Sequence, residues 1–331
     1  MDTAKESQDA VGDAVRHVAI LGAAGAIGHS VAEELQIRKV PFRVIGREIA
    51  KLESAFSGQA EIRPADINDV TATARALEGS DTVIYAVGLP YPTHNQHPVL
   101  MLRAVEAMKR AGVGRMALSS SVYGYGAPQT KRVSETHPRE PQTRKGRYRK
   151  EQEDIALAAN GIDGLRTLVL RLPDFYGPHA TLSLADQVFQ GALAGKTANW
   201  IGRADKAHEF VFVPDAGPVL LDLLNNEGSF GQAWNFGGPG TITGRELVDQ
   251  VYRVAGREPK FRAAGPLALR IAGLFSPMLR EMVEMHYLAV TPVILDDSKL
   301  TCHLGEVHKT PYGEGIRRTW DWYRTRERTA I

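Results

Sequence analysis

His17-Val18-Ala19-Ile20-Leu21 runs into Gly22-Ala23-Ala24-Gly25-Ala26-Ile27-Gly28 and then into Ser30-Val31-Ala32-Glu33-Glu34-Leu35. The order is apolar strand, glycine turn, helix. Glycine lets the chain turn tightly and lets strand, turn and helix backbones approach each other closely. The free N–H groups of the first helical turn then point outward, where the helix dipole favours an anion. The expected ligand is the pyrophosphate of a dinucleotide, held by Gly22, Ala24, Gly25, Ala26, Ile27 and Gly28.

Outward from this turn, short apolar runs alternate with helical patterns. Strands are expected at Val18–Leu21, Phe42–Ile45, Glu61–Pro64, Thr82–Val87, Met116–Ser119 and Thr167–Leu172. Helices are expected near Ile27–Ile37, Ile49–Phe56, Val70–Leu77, Val99–Ala111 and Lys150–Ala159. Such alternation predicts an α/β fold, a Rossmann doubly wound parallel sheet covered on both faces. Ligands in such sheets sit beyond the carboxyl ends of the strands. Gly22–Gly28, Arg47, Asp66, Gly88, Ser119–Ser121 and Pro173-Asp174 all fall there.

Past about Tyr176 the alternation loosens. Helices are expected at Leu184–Ala194, Ala216–Asn225, Gly244–Ala255, Leu267–Phe275, Leu279–Tyr287 and Gly313–Arg324, with strands at Phe210–Val213 and Ala233–Phe236. The expected organisation is a disordered leader over 1–14, an NAD(P)-binding domain over 15–175, and a mainly helical substrate lobe over 176–331 with segments returning to the first domain.

The residues around the glycine turn refine the cofactor. After the second strand, a carboxylate would hold a ribose 2′-hydroxyl. Val44-Ile45-Gly46-Arg47 offers a guanidinium instead, which suits a 2′-phosphate. NADP(H) is therefore expected ahead of NAD(H). Asp66 and Ile67 follow the third strand, where Asp66 could accept from the adenine amino group or cap the next helix. Ala86-Val87-Gly88 is small where a backbone must pass close to the ribose and pyrophosphate.

These features resemble the extended short-chain dehydrogenase/reductase superfamily, in its NAD-dependent epimerase/dehydratase group. The resemblance covers roughly residues 16 to 320. It rests on Gly22-x-x-Gly25-x-x-Gly28, Ala65-Asp66-Ile67, Ser119-Ser120-Ser121 with Tyr125-Gly126, Arg171-Leu172-Pro173-Asp174-Phe175-Tyr176-Gly177-Pro178, and Val211-x-Val213-x-Asp215. It implies cofactor contacts from Ser119, Pro173 and Phe175 as well. The family's chemistry uses a Ser or Thr with a Tyr and a Lys four residues apart on a helix. Ser121 fits the hydroxyl position. Aligned through Glu153, the Tyr position holds Lys145 and the Lys position holds Arg149, and Tyr148 is followed by Gln152. The chain resembles an atypical branch that lacks the pair.

Lys145, buried next to an arginine, could lose its charge and donate a proton, besides touching the cofactor. Tyr123 is a second candidate acid. Arg149 stays charged and could hold a ribose hydroxyl or an oxyanion. Tyr91, Asn95, Tyr176, His179, Trp200 and Phe210 are expected to line a substrate pocket. His94, His97, His179 and His208 show no metal-ligand spacing, and no metal is expected.

Composition bounds the rest. With 40 basic and 38 acidic residues the chain gives no electrostatic case for nucleic acid or a membrane surface. One cysteine, Cys302, excludes an intrachain disulfide. No run approaches the ~18 apolar residues of a spanning helix, and Met1 to Ala14 resembles no signal or transit peptide. A cytoplasmic protein with a small-molecule substrate is expected, and a homodimer is compatible with it. The first functional reading is an NADP(H)-dependent reductase or dehydrogenase of a small carbonyl or alcohol. The alternatives are a sugar-nucleotide epimerase or dehydratase with tightly held cofactor, and a nucleotide-binding regulator without catalysis.

Overall fold

The structure is a computed structural model and describes residues 14–181, 183–265, 274 and 277–329. All but the last residue of the proposed leader, and all but one residue of the helix expected over Leu267–Phe275, lie outside the described residues.

Seven strands form one parallel sheet: β1 (Val18–Leu21), β2 (Phe42–Gly46), β3 (Glu61–Pro64), β4 (Thr82–Tyr85), β5 (Arg115–Ser121), β6 (Arg166–Leu172) and β10 (Ala233–Asn235). Their order is β10-β6-β5-β4-β1-β2-β3. The chain starts in the middle, winds out to β3, then crosses back past β1, and the reversal leaves a crevice between β1 and β4. The crossovers are α1 (Ala26–Ile37), α2 (Ile49–Phe56), α3 (Val70–Leu77), α4 (His97–Arg110) and α5 (Arg144–Ala158). The residues of β1 and β4 are all buried, as a strand covered by helices on both faces requires.

Two short sheets make the second lobe. One has the order β11-β9-β7, from β7 (Asp174–Tyr176), β9 (Ala207–Phe212) and β11 (Thr241–Thr243); the other pairs β8 (Ala198–Ile201) with β12 (Phe261–Ala264). Helices α6 (Asp186–Ala194), α7 (Ala216–Leu224), α8 (Gly244–Val254), α9 (Pro277–Val290), α10 (Ser298–Leu304) and α11 (Tyr312–Thr329) complete the chain. Strands β7, β8, β11 and β12 have no counterpart among the sequence expectations. Each has only three or four residues, too few for an alternating pattern to stand out.

Two element boundaries differ from the expected ones, and an expected returning segment finds its place. Helix α5 starts at Arg144, because Thr143 caps it by accepting from the Gly146 N–H at 3.1 Å, although the basic stretch hides any apolar period. Strand β5 continues through the polar Ser119–Ser121, whose register on β6 ends at Ser121 opposite Leu172. The segment Ala233–Asn235, far along the chain, returns to the first sheet beside β6, with Asn235 opposite Arg171.

The lobe is tied back by polar contacts. Ser30 of α1 donates to Pro214 O at 3.0 Å and accepts from Gly217 N at 2.9 Å. Asp215, from the Val211-x-Val213-x-Asp215 run, accepts from Thr310 N and Oγ1, both at 2.7 Å.

The glycine turn is compressed. Gly22 has φ +88°, and a Cβ there would lie 2.6 Å from the Ala86 carbonyl carbon. A Cβ on Gly28 would overlap the Ala23 backbone. Gly28→Ala should therefore cost roughly 1–3 kcal/mol by overpacking against rigid backbone. Urea unfolding of both proteins checks this, and equal midpoints would show that the turn can relax.

Candidate active site

Side chains on one end of the parallel sheet arrive from β1, β4, β5 and β6. At β1 the N-terminus of α1 has no side-chain cap: Gly25 stands at the N-cap. Helices α3, α5 and α8 are each capped by Asp69, Thr143 and Thr243. The first amides of α1 thus lie available to an anion. Gly88, after β4, opens on empty space.

After β2, Arg47 is exposed and lies 3.8 Å from Asp66, itself 41% exposed. A pair this open contributes little and leaves Arg47 available to a ligand. The next helix is capped by Asp69, accepting from Ala72 N at 2.9 Å. Asp66 instead folds an Asx turn, accepting from Asn68 N at 2.9 Å and Nδ2 at 3.0 Å through Oδ1. Of the two roles open to Asp66, capping has gone to its neighbour.

The three serines of β5 alternate. Ser120 is buried toward α5, where it donates to Glu153 and accepts from Arg149 Nη2 at 3.2 Å. Ser119 and Ser121 are half-buried on the other face. Ser121 Oγ accepts from Tyr123 N at 3.4 Å, starting the turn that carries Tyr123.

Arg149 is turned inward. Its Nη1 donates to Gln152 Oε1 at 2.5 Å and meets His97 Nδ1 at 3.3 Å, while Nη2 donates to the Ser119 carbonyl at 3.3 Å. It holds the end of β5 to α5, and no ligand is needed to satisfy it.

Lys145 is 2% exposed and lies between two carboxylates of α9. Its Nζ donates to Glu284 Oε2 at 2.7 Å and to Glu281. Glu284 also accepts from the Arg144 and Lys145 N–H groups, so one carboxylate caps α5 and binds its lysine. A proton-donating Lys145 was expected from its arginine neighbour. The structure instead places its ammonium between two carboxylates, which take up its donor hydrogens. Burial works against the Glu284 charge, but the Lys145 hydrogen bond and charge and the two N–H groups outweigh it and hold Glu284 below the usual range.

Tyr123 and Tyr91 join through their hydroxyls at 3.0 Å. A Cβ on Gly146 would lie 2.7 Å from the Tyr123 carbonyl oxygen, so α5 packs directly on this turn. Desolvation, the Tyr91 hydroxyl and the Asp174 charge push the Tyr123 phenol well above its ordinary value. Desolvation also raises Tyr91. His94, on the turn between Tyr91 and α4, is 7% exposed and packs near Tyr91, His97 and Tyr123. Burial and the charges of Arg149 and Lys145 lower it to about 4.

Not all expected residues converge. Tyr176, Trp200 and Phe210 are 1%, 0% and 0% exposed in the lobe's core and do not line an open pocket, which corrects that expectation. Asn95 is exposed beside Tyr91, and His179 stacks on His29 at 3.6 Å, against α1 and Trp322. Pro173 is buried and Phe175 half-buried, next to Asp174. Glu281 and Glu284 escaped the sequence reading because their partner lies 136 and 139 residues away. Among the described residues no cluster of three metal-ligating side chains occurs, and no helix is long and apolar enough to cross a membrane.

A model of the NAD dependent epimerase/dehydratase family matches residues 18–237. The 3beta-hydroxysteroid-dehydrogenase/decarboxylase isoform 1 of Arabidopsis thaliana is 25% identical over 300 residues, covering 81% of this chain and 68% of that protein. The UDP-glucose 4-epimerase of Thermotoga maritima, solved with UDP-glucose, superposes with a TM-score of 0.78 at 19% identity over 94% of this chain and 99% of that one. A dTDP-glucose 4,6-dehydratase from Bacillus anthracis, solved with NAD, gives 0.78 at 16% identity over 95% and 98%.

The Lys145–Glu284 contact makes a pH prediction. Glu284 is depressed in the folded state, so its stabilisation is present above the unfolded value of about 4.3 and is lost as pH falls through the folded value. Glu284→Gln should lower the melting temperature at pH 7, with the deficit shrinking below about pH 4. A deficit independent of pH would assign the loss to packing.

Proposed function

The chain belongs to the NAD dependent epimerase/dehydratase family, a family of NAD(P)-linked enzymes, and we propose that it oxidises and re-reduces a secondary alcohol of a sugar nucleotide with a retained cofactor. The relatives favour this over the small-carbonyl reductase put first from the sequence. The observation that carries it is the meeting, at one sheet end, of an uncapped helix N-terminus with Ser119, Ser121, Tyr91, Tyr123 and Asp174.

The site residues fit a dinucleotide. The α1 amides and the compressed Gly22 turn leave room and donors for a pyrophosphate, with Ala24, Gly25, Ala26, Ile27 and Gly28 around it. Ile67, Ala86, Val87 and Gly88 would border the nucleoside side of a bound dinucleotide, and Ser119, Pro173 and Phe175 the nicotinamide side. A bound nicotinamide supplies hydride acceptance and donation. Ser119 and Ser121 would orient the substrate oxygen, and the tyrosine pair would close the cleft against water. Lys145 and Arg149 act on position: one holds α9 over the site, the other holds β5 against α5. Residues 176–331 would supply the substrate lobe.

Purified protein, with NAD(P)+ added, should convert at least one of UDP-glucose, dTDP-glucose and UDP-glucuronic acid, followed by NMR of the sugar. Conversion of none of them, with NADPH consumed on simple carbonyls, would return the function to the reductase reading. Failure on both would favour the regulator.

The finer cofactor choice rests on Arg47. A charge-assisted contact to a 2′-phosphate is worth roughly 1.5–3 kcal/mol, about tenfold to hundredfold in affinity. NADPH should bind more tightly than NADH by fluorescence titration, and Arg47→Ala should remove that margin with NADH binding nearly unchanged. NADH binding as tightly as NADPH would align this chain with the NAD-bound relatives.

A further inference from the structure

The carboxyl ends of β4, β5 and β6 bring Asp174 to the tyrosine pair, and we propose that Asp174 takes and returns the substrate's hydroxyl proton, the role left open by the missing tyrosine. This rests on the function proposed above. Asp174 opens β7 directly after β6 and pairs in register with Phe210 of β9, with Pro173 and Phe175 beside it. Its titratable neighbours are Tyr91 and Tyr123, whose phenols both feel its charge.

Asp174 is unlike the chain's other enclosed carboxylates. Glu153 accepts from Ser120 and Arg171 and pairs with Arg139. Asp215 accepts from Thr310, and Glu209 accepts from the Leu295 N–H. The Asp174 carboxylate has no hydrogen bond or ion pair among the described residues. It is nevertheless only half-buried, at the carboxyl end of β6, so part of its surface stays accessible. Enclosing a carboxylate without a partner is costly, and a fold that retains one at a cleft points to function. Desolvation raises it to about 6, so it exchanges a proton close to neutrality.

The other candidates at this sheet end are worse placed. Both phenols are raised, Lys145 is spent on Glu281 and Glu284, Arg149 is turned inward, and His94 is buried. The step balances. The substrate's O–H bond breaks with its proton passing to an Asp174 oxygen. Its C–H pair leaves as hydride to the nicotinamide, and the C–O bond becomes double. Return of the hydride to the opposite face of the carbonyl carbon, with the proton going back from Asp174 to the oxygen, would give the epimer.

The test uses the holoprotein and the three sugar nucleotides named above. Asp174→Asn should lower turnover by about 10²–10³-fold, leave NADPH binding within twofold, and lose the rise of rate with pH near 6. Asp174→Glu should recover part of the rate. A substrate-free readout accompanies these. A carboxylate raised on folding contributes its full stabilisation below its unfolded value, near 3.9, and that contribution is lost as pH rises through the folded one. Asp174→Asn should therefore raise the melting temperature at pH 8 and not at pH 3.5. Turnover by Asp174→Asn within threefold of the parent overturns the proposal alone. So does a lower melting temperature at pH 8, which would reveal a structural partner, or loss of turnover in His94→Gln with Asp174→Asn active. A parent protein inert toward all three sugar nucleotides overturns the functional reading and this inference with it.

Discussion

Glu153 organises the site. Its carboxylate is fully buried and accepts from Ser120, from Arg171 Nε at 2.9 Å, and lies 3.0 Å from Arg139 Nη2. Arg171 continues to Tyr125 at 2.7 Å, and Tyr125 to Asn235 at 2.8 Å. One network thus joins α5, β5, β6 and β10. Buried charge survives when it is paired and hydrogen-bonded, so the network ties these elements into a narrow range of arrangements. That arrangement sets the ends of β5 and β6, where Ser119, Ser121 and Asp174 sit.

The helix that carries a tyrosine and a lysine in the resembling family here carries Lys145 and Arg149 in structural posts. Arg149 extends the Glu153 network across the Ser119 carbonyl. Lys145 faces the opposite way, to Glu281 and Glu284 on α9. Two cations at catalytic spacing have become fasteners, one for the sheet and one for the segment lying over it. Among the carboxylates at this sheet end, the one those fasteners leave unpaired is Asp174 of β7.

The second lobe follows the same logic of long-range polar ties. Asn235 donates to the Val133 carbonyl at 2.8 Å and to the Asp296 carbonyl at 3.1 Å, so a strand of the first sheet anchors a loop near the end of the chain. Asp215 fixes the approach to α11 through Thr310. Apolar packing around Trp200, Phe210, Phe212 and Tyr252 fills the lobe, and it absorbs aromatics that would otherwise suit a binding surface. Stability and site are segregated: the partnered groups hold the frame, and Asp174 stands apart.

The first half of the fold was legible residue by residue. β1, β3, α2 and α3 occupy the expected ranges, because apolar runs and helical periods are local and a parallel sheet has one economical winding. The open N-terminus of α1 was legible too, since glycine spacing is itself the geometry. The short strands of the lobe, the choice of β6 as the partner of the returning Ala233–Asn235 and the burial of Trp200 were not, because each depends on partners distant in the chain. The same holds for charge. The sequence by itself determined that Lys145 and Arg149 replace a tyrosine and a lysine. Only the tertiary structure decided that their donors are taken, by Glu281 and Glu284 and by Ser119, Ser120 and Gln152, while the Asp174 carboxylate is left without a partner. A residue's type sets which charge it can carry; its neighbours in space set whether that charge is already spent.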